Sequence, residues 1–421
     1  MRTFSLLIAY GMVTFTSAAF AEPPQVDPST DWPWWRGPSH NGKAHSSQQP
    51  PAKFGPNKNL IWKAPVPGRG HASPCIVGDR LFLSTADVDA KTQSVLAYDK
   101  ATGKQLWAVE VNKGNFPAKI HGNNTHASPT IASDGERVFA SFYNNNSVHV
   151  VALTVNGKPA WSENVGPFHP TKYEFGYGAS PLLHEDNVIV VGDQVKGGFL
   201  AALNRKTGKI TWRTERPADI NYASPILTKI DGKDQILISG MESIRAYDPI
   251  AGKELWKGAG GAPQTCGTVV TEDGIVFASG GYPKKQTVAI KVSTGELLWD
   301  NNKKAYEQSM LVHQGYLYSM TDNGIFYCWN AKTGEEQWAE RLKGPVSISP
   351  ILVGDRIYAA NERGQFFVFK ANPNKFELIA KNELGEETFA TPAFVDNRIY
   401  IRVGHQDDDG KRNAVLYCFG K

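Results

Sequence analysis

The sequence predicts an all-β fold: an eight-bladed β-propeller of four-stranded antiparallel blades, closed by the N-terminal strand joining the C-terminal blade. Three observations predict it. An eleven-residue pattern, first seen as Ala97-Tyr98-Asp99-Lys100-Ala101-Thr102-Gly103-Lys104-Gln105-Leu106-Trp107, returns along most of the chain. Eight short apolar runs open with a Ser-Pro-like step. One further strand-like stretch, Asn59-Leu60-Ile61-Trp62, precedes the first repeat without a turn motif of its own.

The pattern recurs around Trp161, Trp212, Trp256, Trp299 and Trp338, so the Trp positions lie 54, 51, 44, 43 and 39 residues apart. That is the length of a four-stranded blade. Val95-Leu96-Ala97-Tyr98 reads as a strand, and Thr-Gly-Lys or Thr-Gly-Glu as a turn whose Gly takes positive φ without a Cβ clash. The Trp then sits on the next strand, where its indole covers the neighbouring sheet while its N–H finds a carbonyl. One such sheet cannot bury both faces alone, so the blades are stable only when stacked radially.

Taken in order, residues 1–21 read as an export signal: Arg2, a largely apolar Leu6 to Phe15, and a small-x-small site Ala19-Phe20-Ala21, giving cleavage near Ala21 and a periplasmic or secreted product. The apolar stretch is short and interrupted by Tyr10, Gly11 and Thr14, which disfavours a transmembrane segment. No Cys stands near the cleavage site, so no lipid anchor is expected there. Residues 22–59 are Pro-, Ser- and Gln-rich and carry Trp32-Pro33-Trp34-Trp35-Arg36-Gly37-Pro38, which either packs along the rim or under the propeller or forms a partner-binding aromatic patch.

Residues 60–421 hold the blades. Their first strands follow Ser73-Pro74, Ser128-Pro129, Ser180-Pro181, Ser224-Pro225, Cys266-Gly267, Ser309-Met310, Ser349-Pro350 and Thr391-Pro392. The seventh repeat has Leu378 where Trp would stand, and the eighth stops at Tyr417-Cys418-Phe419-Gly420-Lys421 before any Thr-Gly turn. Its missing outer strand is expected from Leu60–Lys63, hydrogen-bonded beside Val415–Phe419, with Trp62 docking like the other indoles and no sheet edge left open. Structural docking is thereby assigned to Trp62, Trp107, Trp161, Trp212, Trp256, Trp299 and Trp338.

A formal net charge of +4 over 421 residues does not steer the chain to nucleic acid or an anionic membrane. The four Cys (75, 266, 328, 418) are widely separated and read as small buried thiols, two of them at the repeat position held elsewhere by Ala. Asp407-Asp408-Asp409-Gly410 lacks the ligand spacing of a calcium loop and reads as a hairpin tip, so no metal is expected there. No Gly-rich phosphate loop, Ser-His-Asp order or G-x-S-x-G is present.

The motif Ala-x-Asp-x-x-Thr-Gly-x-x-x-Trp, unaltered at Ala97, Asp99, Thr102, Gly103 and Trp107, resembles the tryptophan-docking motif of the quinoprotein (PQQ-repeat) β-propeller superfamily, over roughly residues 60–421. The W-x-x-W-R-G-P start is similar to N-terminal segments of PQQ-repeat proteins. In size, blade number and repeat type the chain resembles the propeller lipoprotein subunit of the outer-membrane β-barrel assembly machinery more than the PQQ-dependent alcohol dehydrogenases. The first resemblance implies an exported, non-catalytic scaffold with a cell-envelope protein partner and no cofactor. The second implies a dehydrogenase using PQQ with calcium, for which this chain has neither adjacent Cys residues nor an insertion large enough to roof a cofactor.

Chemistry in a propeller is expected at the mouth of its central funnel, ringed by the residues that enter the innermost strands. Aligning the repeats on the Ser-Pro step places His71, His126, Gly178, Tyr222, Gln264, Glu307, Ser347 and Phe389 there, flanked by Arg69, Asn124, Tyr177 and Asn221. No catalytic residue is assigned among them. His71 and His126 read either as hydrogen-bonded lining or as metal ligands or a base with its orienting partner. Tyr177, Tyr222 and Phe389 would be the stacking surfaces of a small-ligand or glycan site.

Overall fold

The computed structural model describes residues 25–406 and 412–421. The export-signal reading of residues 1–21 and the Asp407–Gly410 hairpin tip lie outside the described residues. Among the described residues thirty-two strands form eight four-stranded antiparallel sheets, as the repeat predicts. Blade 1 comprises Cys75–Val77, Arg80–Asp87, Thr92–Asp99 and Gln105–Lys113, numbered here from the axis outward. Blade 8 comprises Ala393–Val395, Arg398–Gln406, Arg412–Phe419 and, as its outer strand, Leu60–Val66. In that closure Leu60 pairs with Phe419, Trp62 with Cys418 and Val66 with Ala414.

The register explains why small residues recur before the turn. Ala97 stands opposite Trp107, Ala152 opposite Trp161, Ala202 opposite Trp212, Ala246 opposite Trp256 and Ala289 opposite Trp299. Cys328 and Cys418 hold the same place opposite Trp338 and Trp62. Directly opposed side chains in an antiparallel pair lie about 5 Å apart, so an indole needs a small partner. Each of these Ala and Cys residues is fully buried, and all four Cys are free thiols.

Six of the seven docking indoles then hydrogen-bond to the next blade. Trp62 donates its Nε1–H to the Lys100 carbonyl at 3.2 Å, Trp107 to Val155, Trp161 to Arg205, Trp212 to Pro249, Trp299 to Ala331 and Trp338 to Asn372. The turn glycine lies under the ring. Gly103 has φ +72°, and a Cβ added there would sit 2.4 Å from the Trp62 ring. Glycine is therefore required twice, for backbone conformation and for close approach. Trp256 departs from the expected docking: its N–H bonds the Gln235 side chain of its own blade at 2.9 Å, and the next turn glycine, Gly295, lies against the backbone of Lys257 and Gly258. A polar side chain within reach captures the indole N–H that the neighbouring turn would otherwise accept.

The N-terminal segment runs under the propeller. Trp32 pairs with Ile76 of blade 1 through two backbone hydrogen bonds, the Pro33 carbonyl accepts from Ser133 of blade 2, and Gly42 and Ala44 bracket Leu352 of blade 7. Arg36 is buried and donates to the carbonyls of Pro350, Asn41 and Met310. Gly37 packs on Trp32 and Gly42 on Arg36, each with positive φ and no room for a Cβ. Trp32 and Trp34 are buried as well, which overturns the alternative of an exposed aromatic patch. Large apolar rings next to eight converging strand ends remove more area from water there than at an open rim.

Candidate functional site: the plugged central cavity

Eight residues precede the innermost strands by two positions: Ser73, Thr130, Ser180, Ser224, Thr268, Ser309, Ser349 and Thr391. They form a belt around the axis. The Ser73 N–H donates to Thr130 Oγ1 (3.1 Å), Thr130 to Ser180 Oγ (2.9 Å) and Ser180 to Ser224 Oγ (2.9 Å). On the other side Thr268 donates to Ser309, Ser309 to Ser349, Ser349 to Thr391, and Thr391 back to Ser73. At the remaining step Thr268 Oγ1 accepts from the indole of Trp35 at 2.7 Å. The hydroxyls are recruited because innermost strands this short leave backbone N–H groups that burial would otherwise orphan.

Two residues earlier stands a second layer: His71, Ser128, Gly178, Tyr222, Cys266, Glu307, Ser347 and Phe389, all eight of which line a central cavity of about 190 Å³. Trp35 forms its floor. Long connections before blades 2 and 3 form a roof on one side. There His121, Asn123, Asn124 and Phe175 line the cavity, and the Asn124 side chain donates to the Phe175 carbonyl at 2.6 Å. The Tyr222 hydroxyl donates to the Tyr173 carbonyl at 2.9 Å, tying blade 4 to the same roof.

Of the residues placed at the funnel mouth by sequence, His71, Asn124, Tyr222, Glu307 and Phe389 lie in this cavity together with Gly178 and Ser347. His126 lies elsewhere, its ring 4.3 Å from that of Phe116. Gln264 is buried and bridges to Tyr282. Both were two residues off: blades 2 and 5 keep their hydroxyl at Thr130 and Thr268, so Ser128 and Cys266 are the residues equivalent to His71. Tyr177 is in the core, its hydroxyl donating to the Val191 carbonyl, and Asn221 is buried beside Asp193 and Thr265. Arg69 lies outside the cavity, paired with Glu387 at 3.0 Å. The sequence did carry the missing signal. In seven blades the hydroxyl stands seven residues before the second strand, and only blade 4, with a longer hairpin, departs.

The electrostatics of the cavity are set by burial. Glu307 is pushed up to about 7, chiefly by desolvation, with Glu362 and Asp322 adding repulsion against the lowering effect of Ser347 and Asn123. Ser347 Oγ donates to Glu362 Oε1 at 2.6 Å. His71 is stacked on Phe389 at 4.2 Å and pushed down to about 4, burial outweighing the Glu387 carboxylate 3.9 Å away. Burial also pushes the Cys266 thiol well up, so it is a poor nucleophile. His71 lines the cavity and His126 does not, and among the described residues no group of three or more His, Cys, Asp or Glu could hold a metal ion.

Radial blades joined by docked indoles, a hydrogen-bonded belt and a plugged axis define an eight-bladed β-propeller of the quinoprotein type. A family model described as outer membrane protein assembly factor BamB matches residues 55–167, 91–340 and 284–373, and the chain belongs to that PQQ-repeat family. It is 26% identical over 338 residues to tetrathionate hydrolase of Acidithiobacillus ferrooxidans, covering 72% of this chain and 65%, just under two thirds, of that protein. It is 23% identical over 355 residues to outer membrane protein assembly factor BamB of Burkholderia pseudomallei, covering 74% of this chain and 87% of that protein. Among solved structures, a europium-containing methanol dehydrogenase superposes with a TM-score of 0.67 at 12% identity, covering 94% of this chain and 98% of that one, a likeness of fold.

The cavity does not fit PQQ with calcium. That quinone is a flat tricarboxylate and asks for cationic side chains and a carboxylate-bound metal. The lining offers no Lys or Arg and one carboxylate, Glu307. Its volume of about 190 Å³ also falls below the ~300–1,000 Å³ of pockets that take larger ligands.

Proposed function

We propose that the chain is an exported, non-catalytic β-propeller scaffold that presents its roofed face to a protein of the cell envelope. The observation that carries this reading is the lining of the central cavity, which has no cation for a quinone tricarboxylate and only one carboxylate. The chemistry is absent from the place where a propeller would hold it, and function follows the site rather than the fold. The relatives named as outer membrane protein assembly factors support the same reading.

The surface that suits a partner is the roof. Tyr173 and Tyr282 pack edge to face with centroids 5.2 Å apart, Tyr282 is 45% exposed, and Lys172 lies over the Tyr173 ring. Tyrosine beside cationic side chains is the composition of interface anchors. Export rests on residues 1–21, and among the described residues no helix is long and apolar enough to cross a membrane. A photo-cross-linking residue placed at Tyr282, and separately at Leu106 on the outer rim, tests the proposal in cells producing the full chain. A discrete adduct with one envelope protein from position 282 and none from 106 is expected. Stoichiometric binding of PQQ and calcium with alcohol-dependent dye reduction by the purified protein would overturn it.

A further inference from the structure

Glu307 is the one carboxylate facing the central cavity, and among the described residues it has no ion-pair partner. The titratable and charged groups around it are Glu362, Asp322 with its partner Lys304, which also lies over the Tyr306 ring, and, in the lining, the imidazoles of His71 and His121, Cys266 and Tyr306. Glu362 and Asp322 are the neighbouring charges, Asp322 being neutralised by Lys304 at 3.0 Å. Cys266 and Tyr306 are held protonated by burial, and His71 stays neutral. Five aromatic rings share the walls with the belt hydroxyls and the amides of Asn123 and Asn124: Trp35 below, Tyr222, Tyr306 and Phe389 at the sides, Phe175 above. A desolvated carboxylate without a cation is costly, and an aromatic face in the same cavity offers negative quadrupole to a cation.

We propose that this cavity binds a small organic monocation of the methylated-ammonium class, with Glu307 as its counter-ion and Tyr222 and Phe389 as stacking faces. Such a ligand supplies the charge that the protein omits. Its methyl groups bury against the rings without asking for hydrogen bonds, and a compact head group is of a size to enter about 190 Å³. The roof then closes over it through Asn124 and Phe175, already joined by a 2.6 Å hydrogen bond. This inference is independent of the scaffold reading, because the cavity lies beneath the proposed partner surface.

Titration calorimetry of the full chain with choline, tetramethylammonium and the neutral isostere 3,3-dimethylbutan-1-ol tests it. Both cations are expected to bind saturably at one site, with the isostere at least tenfold weaker. Affinity should rise between pH 6 and pH 8 as Glu307 ionises. Glu307→Gln should lose at least tenfold at pH 8, with its circular dichroism unchanged. Tyr222→Leu and Phe389→Leu should each lose roughly 3- to 30-fold, the range of a desolvated cation–aromatic contact. Equal binding of the isostere, no saturable binding of either cation, or wild-type affinity in Glu307→Gln would overturn the proposal.

Discussion

Replacing Trp62 with alanine tests ring closure, because this indole joins blade 8 to blade 1 while lying some 350 residues from the strand that it pairs with. Trp62 is 9% exposed, covers Gly103, and donates to the Lys100 carbonyl at 3.2 Å. Truncating a buried aromatic to alanine costs about 3–5 kcal/mol, the lost hydrogen bond included. A ring spanning residues 60–419 has an unfolding entropy of roughly 0.75 kcal/mol per degree at about 2.1 cal/mol/K per residue. Dividing one by the other gives a fall in Tm of about 4–7 °C. Trp107→Ala, at a joint internal to the chain, should fall by a similar amount, and Leu106→Ala, exposed on the same strand, by about a degree or less. Differential scanning calorimetry decides it. A Trp62→Ala melting curve matching that of Leu106→Ala, beside a large shift for Trp107→Ala, would refute the closure.

Other consequences follow from the belt, a buried ion pair and the cavity. Thr391→Val removes the hydroxyl that accepts the Ser349 N–H, and should cost about 1–3 kcal/mol in chemical denaturation because that donor is left buried and unpaired. Asp193 holds Arg216 through two bonds of 2.7 and 2.9 Å in the core, so Asp193→Ala should cost about 3–5 kcal/mol, the penalty of a stranded guanidinium. Glu307 has a folded pKa raised from 4.5 to about 7, so it favours folding below pH 4.5 and loses that advantage as pH rises through 7. Glu307→Gln should therefore match the wild type near pH 4.5 and be more stable at pH 8, by at most about 3 kcal/mol. Because all four Cys are free, non-reducing electrophoresis should show the same mobility with and without reductant.

The repeat, the blade number and the closure were legible in the sequence. They are written in local chemistry: a turn glycine with positive φ, a small residue before it, and an indole on the next strand. Even Cys328 and Cys418 read correctly as small residues, since the place opposite a Trp tolerates little else. What local pattern did not fix was depth along the axis. Strand periodicity is two, so sliding blade 2 or blade 5 by two residues keeps every side chain on its face while exchanging His126 for Ser128 and Gln264 for Cys266. Only the hydrogen-bonded belt, in which each hydroxyl answers the backbone of the preceding blade, sets that register. The plug was likewise a tertiary decision. Trp32, Trp35 and Arg36 gain their partners from Ile76, Thr268, Met310 and Pro350, up to 314 residues away. Residues that meet only when the ring closes leave no periodic trace in the segment that carries them, so the cavity's floor and the place of Glu307 in its wall emerge only from the folded chain.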